Sequence, residues 1–421
     1  MMRAIVMVAV LGAVFFVASP GHAEGPDPFL ERARKVLARW PVIDGHNDAP
    51  WEIHERYKNK LDAFDFRDTA KGDKPMATDL PRLAAGGVGG QFWSVYVPVD
   101  RRGLLATKAV LEQIDLVKRL AARYPDRMAM AYTADDIVAA ERQGKVASLL
   151  GIEGGYAIDN SLPVLRALYD VGARYMTITH WETIGWADAA TDAPKHGGLS
   201  PFGVAVVREM NRLGMLVDIS HVSAETMHDV LDATVAPVIF SHSSARALCG
   251  HTRNVPDDVL VRMAKNDGVV MVNYAPGFVS EAVRQQRALR EAEEARLKAL
   301  NLGFPQAVEE GLKVWDQEHP APRATLAQLA DHIDHIRKLA GIDHVGIGSD
   351  LDGIPAVPVG LEDVSKYPNL IAELLRRGYS DEDAGKVAGG NVLRVLRRAE
   401  QVAAELRKTV AASETEFTEG E

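Results

Sequence analysis

Cysteine is almost absent from this chain, in which Cys249 is the single cysteine among 421 residues. One cysteine cannot form a disulfide bridge within the chain, so such a bridge does not stabilise the fold. Stability must therefore come from the hydrophobic core or from a bound metal. We interpret Cys249 as a small buried apolar residue and not as a nucleophile.

Positive charge is also in short supply. The chain has 48 Lys and Arg residues against 58 Asp and Glu residues, which gives a formal net charge of −10 at pH 7. Nucleic acids and anionic membrane surfaces both need clustered basic residues on their partners. We therefore predict that the protein has no nucleic-acid partner.

Only one long hydrophobic run occurs, and it lies at the N-terminus, where residues 4–18 are apolar and follow the charge of Arg3. The small residues Gly21 and Ala23 come next, and this order is typical of a secretory signal peptide cleaved after Ala23. The alternative is a membrane anchor, but the run is short for a bilayer span. We predict that residues 1–23 are a signal peptide and that the mature protein is periplasmic or secreted, with no stable membrane anchor.

The other end of the chain has no hydrophobic tail of the kind that a lipid-anchor signal requires. Residues 401–421 finish with the acidic and polar stretch ASETEFTEGE. This composition predicts an acidic, disordered tail.

Eight short apolar runs follow residue 40, and they are rich in Val, Ile and Leu without clean alternation. Such runs are typical of parallel strands that are buried on both faces. They read PVID, GGQFWSVYV, VASLLGIE, ARYMTITH, MLVDISH, PVIFSH, GVVMVNY and HVGIGSD.

Helical patterns separate these runs. Apolar residues recur at helical spacing from Val110 to Leu120, and a second helix is predicted to begin at Ser200-Pro201 and to end at Gly214. Eight strands that alternate with helices predict an α/β fold, a (β/α)8 TIM-type barrel, as a single domain over residues 24–400.

Two segments interrupt this alternation. Residues 57–82 are polar and rich in Gly, Asp and Lys, which predicts a long loop after the first strand. Residues 281–324 are charged and have a helical pattern, so we predict a helical insertion after the seventh strand. The insertion is expected to form one wall of the pocket.

Groups that bind metals or move protons stand at the ends of six of the eight predicted strands. In a barrel of this kind the active site lies where the strands end, at the C-terminal face. The residues are His46, Asp48, Glu153, His180, His221, His242 and Asp350.

The chemistry of these side chains favours a metal site. His46 and Asp48 are two residues apart, so their side chains share a face in an extended chain. Imidazole and carboxylate ligands suit Zn²⁺ and also Mn²⁺, Co²⁺ or Fe²⁺. Five candidate ligands exceed the three protein ligands that are typical of one catalytic zinc, whereas two metals that share a carboxylate would use them all.

Each residue also has an ordinary structural interpretation. A lone histidine at a strand end is more often structural than a metal ligand, and Glu153 before Gly154 could cap a helix. That account must hold independently at six strand ends, which disfavours it. His332 and His335 lie elsewhere, three residues apart on a predicted helix, where we expect them to be exposed.

The ordered motifs of the chain resemble those of the membrane (renal) dipeptidases, which are two-zinc metallopeptidases with an amidohydrolase-type barrel. The resemblance covers about residues 36–398. The motifs are VIDGHND, GIEGG, TITHW, DISHVS, IFSHSSAR, RNVPDDVL, VMVNY and GSDLDG. The chain lacks the disulfide cysteines and the lipid-anchor signal of the anchored members.

This resemblance implies two Zn²⁺ ions per chain, held by His46, Asp48, Glu153, His221 and His242. The first two residues are expected to bind one metal, His221 and His242 the other, and Glu153 to bridge both. His180 and Arg253 match the substrate-contacting residues of the family, and Asp350 matches its proton-transferring aspartate.

The expected reaction is the hydrolysis of dipeptides, in which a metal-bridging hydroxide attacks the scissile carbonyl. His180 is expected to stabilise the oxyanion, Asp350 to transfer the proton, and Arg253 to hold the C-terminal carboxylate of the substrate. Alternatively, Arg253 is a surface residue that pairs with Asp257 or Asp258.

Two other functions stay open. One is an amidohydrolase of the same fold that acts on N-acyl amino acids, lactones or cyclic amides. The other is a binding protein on a barrel that has lost catalysis, but such a protein would usually have lost a ligand or the proton-transferring acid. A homodimer is also possible.

Overall fold

The computed structural model describes residues 27–71 and 75–420. The signal peptide predicted for residues 1–23 lies outside the described residues and stays a prediction. Across the two described ranges, no helix is long and apolar enough to cross a membrane.

Parallel strands form the centre of the fold, and nine of them lie in the described ranges. They are β1 (Val42–Asn47), β2 (Val88–Tyr96), β3 (Met128–Met130), β4 (Val146–Glu153), β5 (Ala173–Thr177), β6 (Leu216–Asp218), β7 (Ile239–Phe240), β8 (Val269–Val272) and β9 (Val345–Ile347). β1 pairs with both β2 and β9, and β2 pairs with β4, so eight strands close into a barrel. The predicted (β/α)8 barrel is therefore confirmed.

The short strand β3 was not among the eight predicted strands. It pairs with the beginning of β4, from Met128 opposite Val146, whereas β5 pairs with β4 only from Leu150 onward. β3 therefore extends the sheet at the N-terminal end of β4 and is not one of the eight strands that close the barrel. Three residues are too few to produce a recognisable apolar run.

Helices surround the barrel and connect its strands. They are α1 (Pro28–Arg39), α2 (Ala49–Tyr57), α3 (Leu80–Ala85), α4 (Leu104–Arg123), α5 (Ala134–Arg142), α6 (Leu162–Asp170), α7 (Pro201–Leu213), α8 (Ala224–Ala233), α9 (Asp257–Lys265), α10 (Pro276–Val279), α11 (Glu281–Leu300), α12 (Pro305–Glu318), α13 (Leu326–Ala340), α14 (Tyr367–Arg376), α15 (Asp381–Gly385) and α16 (Asn391–Thr409).

The bounds of α7 follow from its terminal residues. The Ser200 hydroxyl accepts a hydrogen bond from the Gly203 amide, and Pro201 occupies the first turn, where its missing N–H costs nothing. Gly214 ends the helix at φ +86°, in the left-handed region that glycine adopts without strain. Both ends lie where the sequence predicts them.

The insertion after β8 consists of α11 and α12. These helices pack on each other through a small apolar cluster of Leu297, Val308 and Leu312, separate from the main core. The first turns of α11 line the cavity at the mouth of the barrel, through residues that include Val283 and Arg287. The insertion thus forms a wall of the pocket.

The C-terminal segment differs from the predicted disordered tail. α16 continues through residues 401–409, and the chain beyond it runs along the barrel. Phe417 packs edge-on against Phe202 of α7, with ring centroids 5.5 Å apart, and the Ser413 amide donates to Glu209 at 3.2 Å. One aromatic side chain within an acidic stretch supplies a contact that composition alone does not reveal.

His332 also differs from its prediction, because it is only 1% exposed. Its Nδ1 accepts a hydrogen bond from the Ala245 amide at 3.0 Å, and its Nε2 donates to the Val279 carbonyl at 2.9 Å. α13 packs against α9 and β8, so this histidine faces the protein and joins the loop after β7 to the end of α10. His335 is partly exposed and lies 2.8 Å from Asp257.

Candidate active site

The seven predicted residues converge at the C-terminal end of the barrel and line or adjoin one cavity. His46 and Glu153 are within strands, whereas the others follow strands by one to three residues. The predicted strands ran to the histidines, but the observed strands end sooner. Most of these side chains are therefore held by loops that leave the barrel: Asp48, His180, His221, His242 and Asp350.

Glu153 lies at the centre of the group. Its Oε1 atom is 3.1 Å from His221 Nε2, 3.4 Å from His242 Nε2 and 3.7 Å from His180 Nε2. Its Oε2 atom faces the other way, 3.5 Å from His46 Nε2. The two oxygens of one carboxylate therefore face different imidazoles.

The first strand contributes two groups on the Oε2 side. His46 Nε2 lies 3.3 Å from Asp48 Oδ2 and has no hydrogen-bond donor or acceptor placed for it, although it is fully buried. A buried ring nitrogen without a hydrogen-bond partner is costly unless a ligand satisfies it. This position therefore fits a metal.

Three sets of ligand atoms in the described residues each lie within 4.8 Å of one another. They are His46 with Glu153 and His242, Glu153 with His180 and His221, and His46 with Asp48 and Asp350. These imidazole and carboxylate donors fit a divalent transition metal. The second set includes His180, which the sequence assigned to the substrate and not to a metal.

The surroundings of Glu153, His221 and His242 favour the states that a metal requires. Burial alone would raise the pKa of Glu153, but the histidines around it, His46 and His180 first, hold that pKa well below its usual range. Burial, with the nearby positive charge of Arg253, lowers the pKa values of His221 and His242 well below normal. An ionised carboxylate and neutral imidazoles are the metal-binding forms. At His46, burial opposes the charged form, but the charges of Tyr175, Asp48 and Glu153 outweigh it and raise the pKa well above its ordinary value.

Hydrogen bonds behind the ligands fix the orientation of two rings. Tyr175 Oη lies 2.8 Å from His46 Nδ1, and Ser241 Oγ lies 2.7 Å from His242 Nδ1. The Ser241 hydroxyl lies 2.6 Å from Asp218 Oδ2. Such contacts leave each Nε2 free to face the site.

Tyr175, Ser241 and Asp218 were not among the residues predicted from the sequence. Ser241 directly precedes His242 in IFSH, and Asp218 lies three residues before His221 in DISH. Both residues are therefore part of motifs that the sequence already singled out. Tyr175 gave no such signal, because 129 positions separate it from the ring that it contacts.

Asp350 stands beside the cluster and is largely enclosed. Asn273 donates a hydrogen bond to its Oδ2 at 3.0 Å. Burial, and then the charge of Asp48, raise the pKa of Asp350 well above its ordinary value. Its backbone φ of +62° is uncommon outside glycine, and His221 has φ +69°. Such conformations concentrate at functional sites.

Arg253 lies inside the cavity wall and is only 1% exposed. Its Nη1 and Nη2 atoms donate to Ser243 Oγ and the His242 carbonyl, both at 3.3 Å, while its Nε has no partner. In the described ranges no carboxylate forms an ion pair with it. The alternative of a surface pair is wrong, because Asp257 and Asp258 pair with histidines instead.

The cavity has a volume of about 860 Å³, and its lining includes Asp48, Glu153, His180, His221, His242, Arg253 and Asp350, whereas His46 adjoins it. Trp51, Tyr96, His180 and Trp181 form a continuous aromatic edge, with successive ring centroids 5.0 to 5.4 Å apart. Burial lowers the pKa of His180 to about 4, so its ring is neutral near pH 7. The aromatic edge and the candidate metal-binding groups therefore face the same cavity.

The family model for membrane dipeptidases, peptidase family M19, matches residues 30–410. The chain belongs to the membrane dipeptidase family. The resemblance inferred from the motifs is thus confirmed. Family membership and the structural neighbours together support a hydrolase that cleaves dipeptides with the help of metal.

Two solved structures illustrate the similarity. The probable dipeptidase PvdM from Pseudomonas aeruginosa is 26% identical, with 90% of this chain and 100% of that chain covered and a TM-score of 0.77. A metallopeptidase from Rhodobacter sphaeroides, liganded with a phosphinate mimic of the dipeptide L-Ala-D-Ala, is 25% identical. That match covers 85% of this chain and 99% of the other, with a TM-score of 0.70.

Proposed function

We propose that this protein is a dipeptidase with two Zn²⁺ ions per chain, bridged by Glu153. The observation that carries the proposal is the position of Glu153, whose two oxygens face different sets of imidazoles. His46 and Asp48 would complete one metal site, and His221 and His242 the other. When bound, the two cations lower the pKa of water and polarise the substrate carbonyl.

Asp350 is the proposed proton-transfer group. Its carboxylate accepts a proton from the attacking water and delivers it to the nitrogen of the leaving amine. The peptide C–N bond breaks, and the products are a carboxylate and a free amine. The raised pKa of Asp350 makes its carboxylate a stronger base than an ordinary aspartate, which suits a group that accepts a proton.

His180 and Arg253 are the proposed substrate-binding groups. The neutral imidazole of His180 donates an N–H to the oxyanion that develops on the scissile carbonyl. Arg253 holds the C-terminal carboxylate of the substrate with its guanidinium, which no ion pair in the described ranges neutralises. A carboxylate held this close to the metals limits substrates to very short peptides.

Substitution of Arg253 tests whether a free C-terminal carboxylate holds the substrate, whereas the substrate panel separates dipeptides from N-acyl amino acids, which also carry a carboxylate. A charge-assisted pair in a partly dry site contributes about 1.5–3 kcal/mol, so Arg253→Ala should lower kcat/KM for free-acid dipeptides about 10- to 150-fold. Dipeptide amides should already be poor substrates of the wild-type enzyme. Equal rates for free-acid and amidated peptides would contradict the clamp.

Metal analysis tests the remaining assignments. The purified enzyme should contain two zinc ions per chain, and Glu153→Gln should lower the occupancy of both sites. His180→Ala should keep both metals if the residue contacts substrate, and should lose one if it is a ligand. An unchanged single metal in the wild type and in Glu153→Gln would contradict the bridge. A panel of N-acyl amino acids, lactones and cyclic amides measures the competing activities.

The cellular location is a separate proposal. The N-terminal pattern supports export with cleavage after Ala23, so that the mature chain begins at Glu24 in the periplasm or outside the cell. Mass spectrometry of protein from the exporting cell should show the loss of 23 residues. An intact N-terminus in a cytosolic fraction would contradict it. The possible homodimer also stays a proposal.

A further inference from the structure

The insertion adds a positive charge to the cavity that the proposed reaction does not use. Arg287 on α11 lines the cavity and is exposed to it. A β-carbon added to Gly277 would lie 3.1 Å from Arg287 Nη1, so the guanidinium rests against the backbone of α10. The next residue, Phe278, has the guanidinium of Arg253 over its ring at 5.4 Å. Neighbouring residues of α10 therefore each support one guanidinium group.

The charges near Arg287 leave it available to a ligand. Arg284, one turn earlier, is held by both oxygens of Glu281, with its Nε 2.7 Å from one of them. Glu291, one turn later, also lines the cavity. In the part of the chain that the structure describes, neither Glu291 nor any other carboxylate lies within ion-pair distance of Arg287.

The positive charges of these arginines overlap at His251, although Arg284 is paired with Glu281. Burial first, and then the charges of Arg253, Arg284 and Arg287, lower the pKa of His251 to about 4. The positive charges of these three guanidinium groups thus all reach the ring of His251. A ligand with two carboxylates would meet two separate cations there.

We propose that Arg287 is a specificity-determining residue, which binds the side-chain carboxylate of dipeptides that end in Asp or Glu. The inference rests on the proposed function, because Arg253 holds the terminal carboxylate of the same substrate residue. Arg287, whose guanidinium rests against Gly277 of α10, then binds the second carboxylate. Since α11 belongs to the insertion, the added segment sets this preference.

The test compares acidic substrates with their uncharged amides. The mature, metal-loaded enzyme is assayed with L-Ala-D-Asp against L-Ala-D-Asn, and with the corresponding L,L pair. The wild type should favour the acid, and Arg287→Gln should lower the acid-to-amide ratio of kcat/KM about threefold to tenfold, mainly through KM. Arg287→Lys should restore part of it. The effect is modest because solvent screens an exposed ion pair, and the wild-type ratio should fall as NaCl rises.

Arg290→Gln is the matched control. Arg290 lies on the same helix but pairs with Asp316 and does not line the cavity, so this variant should keep the wild-type ratio. An equal ratio in the wild type and in Arg287→Gln, with L-Ala-D-Asn still hydrolysed, overturns the role of Arg287 alone. If the wild type hydrolyses L-Ala-D-Ala and other uncharged dipeptides but neither Asp dipeptide, this inference fails and the proposed function stands; if it hydrolyses no dipeptide, both fail.

Discussion

At the scale of single residues, Asp350 and Asp352 differ in what surrounds their carboxylates. Asp352 Oδ1 accepts a hydrogen bond from the Ala77 amide at 2.6 Å, so it holds the segment between α2 and α3. Asp350 instead lies against Asp48 and His46 in the metal-binding group. Two aspartates of one turn therefore have different surroundings, and we assign proton transfer only to the first.

Asp350→Asn should lower kcat about 10²- to 10⁴-fold while the metals and the fold are kept. Asparagine has a similar size but cannot accept the proton of the water, and general acid–base groups typically contribute this much. Turnover and metal content are measured for Asp350→Asn and, as the matched control, for Asp352→Asn. If only Asp352→Asn loses turnover, the proton-transfer role belongs to Asp352. If Asp350→Asn loses metal as well, the residue is a ligand.

At the scale of elements, the loops that follow short strands hold several of the candidate metal-binding side chains at the site. β6 and β7 end at Asp218 and Phe240, so His221 and His242 lie in the turns beyond them. The left-handed backbone of His221 is a strained position that the surrounding hydrogen bonds must maintain. Precision at the site therefore depends on these turns and less on the strands.

The C-terminal segment provides a test of packing at this scale. Phe417→Ala should lower the free energy of unfolding by about 1–2 kcal/mol, because a partly buried aromatic ring loses its contact with Phe202. Amide hydrogen exchange in residues 410–420 should also accelerate. Phe304→Ala is the control, since that ring is 69% exposed. Unchanged stability and exchange in Phe417→Ala would show that the segment does not pack on the barrel.

At the scale of the whole molecule, the candidate metal-binding side chains join distant parts of the barrel. They come from β1 and β4 and from the turns after β1, β5, β6, β7 and β9. Asp48, Glu153 and Asp350 also bring negative charges close together. Without cations their repulsion opposes closure of the barrel mouth.

Removal of metal should therefore destabilise the entire fold. A ligand present at 100 times its dissociation constant stabilises the native state by about 2.7 kcal/mol per site. Chelation should lower Tm by several degrees, and added zinc should restore it. Glu153→Gln, which cannot bridge, should show a smaller response to zinc. The same Tm in chelated and zinc-loaded wild type would contradict a contribution of the metals to stability.

The barrel and the positions from which its site is built could be predicted from the amino-acid sequence alone. Buried parallel strands leave continuous apolar runs, and chemical groups at their ends are visible because strand and group are adjacent in the chain. The ends of α7 could be predicted for the same reason, since Ser200, Pro201 and Gly214 each act within the helix turn at which they stand. The roles proposed for the site residues stay predictions, although the fold brings those residues together.

Contacts between residues that are distant in sequence could not be predicted and are visible only in the folded chain. The contact of Tyr175 with His46, the burial of His332 and the packing of Phe417 on Phe202 all join parts of the chain that are far apart in sequence. The position of Arg287 beside Gly277 depends likewise on how α11 packs across α10. Periodicity and spacing encode the faces of single elements, but not which faces pack together, because that choice depends on the energy of the whole fold.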